Sequence, residues 1–116
     1  VDVRASEDAL DELQIEPREV KAKLDRGEPL LLVDCREPHE YAICRLPGAR
    51  LVPMGEVARH LELFAAADEV VVYCHHGIRS LNVAAWLRAQ GIESVRSLAG
   101  GIERWAVEID PAMPRY

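Results

Sequence analysis

The chain has 116 residues, 49% apolar and 29% charged, with a net charge of −6 at pH 7. That is enough for one domain around one hydrophobic core, in a composition ordinary for globular proteins. The negative balance argues against nonspecific binding to nucleic acid or an anionic membrane, and no apolar run approaches the about 20 residues of a membrane-spanning helix.

Residues 1–13, VDVRASEDALDEL, lack the basic and apolar regions of a signal peptide and are read as an acidic N-terminal extension or linker. The domain proper is expected over residues 14–107. Pro17 suits a first helical turn, Val20 and Leu24 share a face, and Gly27 marks the stop. The run from Leu30 to Asp34 predicts a strand buried on both faces. A short helix is expected from Pro38 to Ile43, then a strand from Ala49 to Val52 after the Pro47-Gly48 turn. Met54 to Phe64 reads as one helix with Val57, Leu61 and Phe64 inward. Val70 to Tyr73 is the clearest strand, being β-branched and uninterrupted. A helix from Ser80 to Gln90, a strand from Val95 to Leu98, a turn at Gly100-Gly101 and a helix from Ile102 to Val107 complete the domain. The tail, residues 108–116, carries two prolines that stop a helix. Strands and helices alternate, which predicts an α/β domain with a mostly parallel central sheet and helices on both faces.

Functional sites in such sheets form at the carboxyl ends of strands, and Cys74 directly follows the strongest strand. In Cys74-His75-His76-Gly77-Ile78-Arg79-Ser80, Gly77 lets the loop curl and a helix follows. That arrangement points backbone N–H groups and a helix N-terminus at the sulfur, stabilising a thiolate nucleophile. The same cradle would bind an anion, with Arg79 supplying charge and directed hydrogen bonds. A buried packing cysteine is the commoner fate of the residue type, but it would not require Gly77 and Arg79 at those offsets. The chain has three cysteines, Cys35, Cys44 and Cys74, and no CxxC pair. That argues against a disulfide exchanger and for reduced thiols in the cytoplasm.

Three ordered motifs now identify a resemblance. Asp34-Cys35-Arg36-Glu37-Pro38 is followed by Glu40-Tyr41 and by Leu46-Pro47-Gly48-Ala49; the Cys74–Arg79 loop comes next; then Leu98-Ala99-Gly100-Gly101-Ile102-Glu103-Arg104-Trp105. Together they resemble the rhodanese-like domains, single-domain sulfurtransferases in particular, from about Ile15 to Trp105. The resemblance implies a rhodanese-like three-layer fold. It also implies transfer of a sulfane sulfur from thiosulfate or a persulfide donor to Cys74, then from the Cys74 persulfide to cyanide, a thiol or a protein acceptor. It further implies that His75, His76, Gly77, Ile78 and Arg79 bind the donor, with Asp34, Arg36 and Ser80 in support. The loop from Cys74 to Arg79 is six residues long, the length that goes with sulfur substrates; the related Cdc25-type phosphatases have one residue more. Two positions depart from the family pattern. Cys35 stands where valine is usual, and Cys44-Arg45 where Gly-His is usual.

Other readings are weighed residue by residue. The rings of His75 and His76 have two open readings, substrate contact with proton shuttling or plain solvent exposure. Adjacent histidines do not match zinc spacings, even with His39 or His60 added, so no metal or organic cofactor is expected. Asp34 and Arg36 are expected to form a structural ion pair, and Glu37 and Glu40 to be solvated or part of that network. Cys35 is expected to be buried and inert. Cys44 would be a resolving thiol only if it approached Cys74. Trp86 and Trp105 read as packing residues. Alternative functions are a sulfur-relay module within a larger cofactor-biosynthesis or tRNA-thiolation protein, a phosphatase, and a noncatalytic binding module; nucleic acid and membrane are not expected partners.

Overall fold

A computed structural model describes residues 11–116; of the extension expected over residues 1–13, residues 1–10 lie outside the described residues, and Leu13 packs against the core. Every residue of Val70–Tyr73 (β4) is buried, as expected of a run apolar on both faces. β4 is the middle of a five-stranded sheet. It pairs in parallel with Leu31–Asp34 (β2) on one side and Val95–Leu98 (β5) on the other. Gln14–Ile15 (β1) extends the sheet beyond β5, and Arg50–Leu51 (β3) beyond β2, both parallel. The order is β1-β5-β4-β2-β3.

Parallel pairing forces each connection to cross over the sheet, and those crossovers carry the helices. Pro17–Asp25 (α1), Pro38–Ile43 (α2), Leu61–Ala66 (α3) and Ile78–Ala89 (α4) lie in these connections, and Gly101–Glu108 (α5) follows the last strand. Side chains alternate along β4, so the sheet has two cores. Val70 and Val72 pack with Val33, Phe64, Val83 and Leu87 on one face. Val71 and Tyr73 pack with Leu32, Val20, Ile102 and Trp105 on the other. Trp105 is buried, while Trp86 lies 40% exposed beside Met54 and Val57.

Three details differ from the sequence reading. The single helix expected over Met54–Phe64 divides into a 3₁₀ segment, Met54–His60, and α3. Gly55 is a poor helix former, and His60 leaves helical dihedrals at φ −120°, ψ 28°. β1 was not anticipated, because two residues carry no periodicity; the Ser97 N–H donating to the Leu13 carbonyl at 2.7 Å and the Ala99 N–H donating to Ile15 at 2.9 Å create it. α4 begins at Ile78, two residues before the expected start, because Gly77 takes the left-handed conformation at φ +98° and caps it.

The end of β2 is fixed by a buried ion pair. Arg36 is fully buried and grips Asp34, with Nη2 donating to Oδ2 at 2.6 Å and Nε to Oδ1 at 2.9 Å. Its Nη2 also donates to the Cys44 carbonyl at 2.6 Å, tying β2 to the segment after α2. Removing one partner would strand a buried charge, so Asp34→Ala is expected to lower unfolding stability by about 3–5 kcal/mol. Urea denaturation measures this, and an unchanged midpoint would show that the pair is not structural.

Candidate active site

Asp34 and Tyr73 are register partners at the ends of β2 and β4, and the Cys35 N–H donates to the Tyr73 carbonyl at 3.0 Å. Pairing therefore continues one residue further, setting Cys35 beside Cys74 on the same face of the sheet and in the same core. Beyond Cys74 the chain turns sharply into α4. The Gly77 N–H donates to Cys74 Sγ at 3.1 Å and the Ser80 N–H at 3.4 Å, with Ser80 Oγ also 3.4 Å away. Ser80 Oγ is held in turn by Ser97 Oγ of β5 at 2.7 Å. The first intrahelical bond of α4 runs from the Leu81 N–H to the Gly77 carbonyl at 3.1 Å. The N–H groups of Ile78, Arg79 and Ser80 thus lie outside the helix ladder, and they gather at the sulfur end of the helix dipole.

A loop that turns N–H groups inward turns carbonyls outward, and these need donors. The N-terminus of α5 supplies them, with the Ile102 N–H on the Cys74 carbonyl at 2.9 Å and the Glu103 N–H on the His75 carbonyl at 3.0 Å. Gly101 permits this approach. Its φ is +63°, and a Cβ there would overlap the carbonyl oxygens of Cys74 and His75.

The Cys74 thiol is held down at about 5, against an ordinary value of about 8.5. Contact with the Cys35 thiol is the largest cause. Burial opposes it, and the Ser80 hydroxyl and the Ser80 and Gly77 N–H groups reinforce it. At neutral pH the sulfur is a thiolate, the reactive form.

The structure brings most of the sequence-predicted residues to this loop, though not in every expected posture. Gly77 and Ser80 touch the sulfur. Ile78 is 72% exposed and His76 is exposed. The His75 ring stacks between His76, at 4.0 Å, and Tyr116, at 3.9 Å. Burial and the neighbouring His76 lower its pKa, so His75 is neutral. The Arg79 guanidinium forms a two-pronged pair with Glu40 of α2, at 2.8 and 2.9 Å, rather than a bond to the sulfur. Arg36 and Asp34 are committed to each other below the loop. Cys44 packs on the opposite face of the sheet from Cys74.

Two participants were missed by the sequence reading or left open in it. Glu40 is buried and accepts from Arg79, from the Glu37 N–H at 3.1 Å and from the Tyr116 hydroxyl at 2.7 Å. Arg79 above all, helped by these donors against burial, holds its carboxyl well below the usual range. Its position three residues after Glu37, at the start of a helix, was the available signal, since that spacing makes a capping box. Tyr116 folds back from the tail, accepts from Arg36 Nη1 at 2.7 Å and donates to Glu40. No pattern in the sequence marked it.

Fold and site together define an α/β protein that cradles a cysteine thiolate between a strand end and a helix N-terminus. The chain belongs to the rhodanese-like domain family, whose model matches residues 16–108. It is 34% identical over 98 residues to a putative sulfurtransferase, YtwF, of Bacillus subtilis, covering 84% of this chain and 94% of that one. It is 35% identical over 104 residues to a probable adenylyltransferase/sulfurtransferase, MoeZ, of Mycobacterium tuberculosis, covering 88% of this chain and 26% of that protein. A rhodanese-like domain protein from Staphylococcus aureus has a solved structure that superposes with a TM-score of 0.75 at 30% identity, covering 89% and 97% of the two chains. The chain spans a third or less of several curated relatives, 30% of one and 26% of others.

The cradle predicts its own titration. The rate of Cys74 alkylation by neutral iodoacetamide should rise with pH to a midpoint of about 5 as the thiolate forms, and Ser80→Ala should move that midpoint upward. A wild-type midpoint near the ordinary thiol value would contradict the hydrogen-bonded thiolate.

Proposed function

We propose that the protein is a sulfurtransferase in which Cys74 takes a sulfane sulfur from thiosulfate or a persulfide donor, holds it as a persulfide, and passes it to a thiophilic acceptor. The observation that carries this reading is the Cys74 sulfur accepting from the Gly77 and Ser80 N–H groups at the head of α4. Relatives named as sulfurtransferases support it. The thiolate attacks the outer sulfur of thiosulfate, the sulfur–sulfur bond breaks, and sulfite leaves with the bonding pair. The terminal sulfur of the persulfide, anionic like the thiolate before it, lies among the remaining loop N–H groups and the positive end of the helix. Attack by the acceptor regenerates the thiolate, a two-step cycle with ping-pong kinetics. No step calls for a metal or organic cofactor.

Arg79 is the cation at the rim. Its pairing with Glu40 both places it and competes with the donor, so an incoming anion shares the guanidinium or displaces the carboxylate. We assign Arg79 to donor binding, with His76 and Ile78 as exposed wall residues and His75 as a packed, neutral one. Asp34 and Arg36 support the loop from below.

A second reading is favoured by the relatives in which a matching segment is only 26% of a chain named for adenylyltransferase and sulfurtransferase activity together. There the domain would be a relay handing sulfur to a partner protein. In that case the persulfide still forms, but turnover with free cyanide is slow.

Incubating the reduced protein with thiosulfate and no acceptor should release one equivalent of sulfite per chain, and Cys74→Ser none. Sulfite release from Cys74→Ser would overturn the assignment of the nucleophile. Arg79→Ala should raise KM for thiosulfate by about tenfold or more, the loss of one charged hydrogen-bonding partner, with a smaller change in kcat. Hydrolysis of an aryl phosphate at a rate comparable to sulfur transfer would overturn the sulfur assignment in favour of a phosphatase.

A further inference from the structure

Cys35 helps hold Cys74 as a thiolate, but it forms no bond in the transfer described above. It is fully buried, at the end of β2, one strand over from the nucleophile. Val33 and Val72 are register partners in the same core, so two residues further along each strand Cys35 and Cys74 face the same way as neighbours. The Cys35 N–H bond to the Tyr73 carbonyl, at 3.0 Å, keeps that pairing closed up to the last residue before the loop. Neighbouring strands run about 4.8 Å apart, inside the about 4.4–6.8 Å range of Cα separations that disulfides span. The loop donors Gly77 and Ser80 approach Cys74 Sγ from the start of α4, whereas Cys35 lies beside Cys74 along the neighbouring strand, in the same core. Both thiols are free in the reduced chain.

We propose that Cys35 is an internal resolving thiol that discharges the Cys74 persulfide as hydrosulfide when no acceptor arrives. The proposal rests on persulfide formation at Cys74. Cys35 attacks the inner sulfur, Sγ, of the persulfide. The Cys35–Cys74 disulfide bond forms as the bond from Sγ to the terminal sulfur breaks. The terminal sulfur leaves with that electron pair and takes up the Cys35 proton, so that Cys35–SH and Cys74–S–S⁻ become Cys35–S–S–Cys74 and HS⁻. Charge and atoms balance without an outside oxidant, because the sulfane sulfur is itself the oxidant. A dithiol reductant would reopen the bridge.

The same geometry explains why the reaction is confined to the loaded state. With Cys74 as a bare thiolate, contact with that anion, together with burial, pushes the Cys35 thiol far up and keeps it protonated. A persulfide moves the negative charge one sulfur outward, toward the loop, and leaves an electrophilic sulfur next to Cys35. Cys44 has no such access, because it packs on the other face of the sheet.

The test loads reduced wild type, Cys35→Ser and Cys35→Val with thiosulfate, without acceptor, and follows sulfite, sulfide and intact mass. Valine is the residue the family usually carries here, so at least one variant is expected to fold. Wild type should release sulfite and then up to one equivalent of sulfide, losing about 2 Da as the two thiol hydrogens leave, with a dithiothreitol-reversible Cys35–Cys74 crosslink in its peptide map. Assayed at about pH 9, where an ordinary thiol ionises without the Cys35 contact, both variants should release sulfite alone and retain a gain of about 32 Da, one sulfur on Cys74. Cys44→Ser should behave as wild type. A wild type that keeps its added sulfur as long as the variants do would overturn the resolving role and leave the sulfurtransferase reading intact. Sulfite release from none of them would overturn the parent reading and this one together.

Discussion

A loop can point its N–H groups at a buried anion only if something else takes its carbonyls. In this protein the first turn of α5 does so, through the Ile102 and Glu103 N–H groups on the Cys74 and His75 carbonyls. Everything else about the site hangs on that exchange. It fixes the peptide planes that aim Gly77 and Ser80 at the sulfur, and it demands a glycine at 101, where a side chain would strike the same carbonyls. Gly100-Gly101, which begins 26 residues after the nucleophile, is thus part of the cradle.

Around the cradle lies a layer of charge that is almost wholly self-satisfied. Asp34 neutralises Arg36, Arg36 reaches Tyr116, Tyr116 reaches Glu40, and Glu40 holds Arg79. Such a chain keeps a cation near the anion-binding loop without leaving it bare, at the cost of competition with the substrate. It also makes the tail a structural neighbour of the site, because the Tyr116 ring covers His75 and Arg115 pairs with Glu103.

The thiolate is sustained from two sides, and they differ in kind. Gly77 and Ser80 are backbone and hydroxyl donors whose direction is set by the loop. Cys35 is a second sulfur, placed by strand register. From the sequence Cys35 is expected to be inert, because a strand end in a buried core is where packing cysteines are usually found. Register is a property of two strands, and only their pairing shows that residues 35 and 74 are neighbours.

Neighbouring residues alone specify the alternating α/β order, the strands at Leu31–Asp34, Val70–Tyr73 and Val95–Leu98, and Cys74 as the residue at the end of the central one. Those features are local: β-branched runs, helix stops and a glycine in a short loop are written in neighbouring residues. Tertiary structure alone decided that Arg79 turns to Glu40, that Tyr116 returns across 76 positions to bond it, and that α5 caps the loop. It also decided that Met54–Phe64 breaks into two helical pieces and that Leu13 to Ile15 finds an edge of the sheet. Each of these joins groups far apart in the chain, or yields a weak local preference to packing, and neither leaves a periodic trace for sequence reading to find.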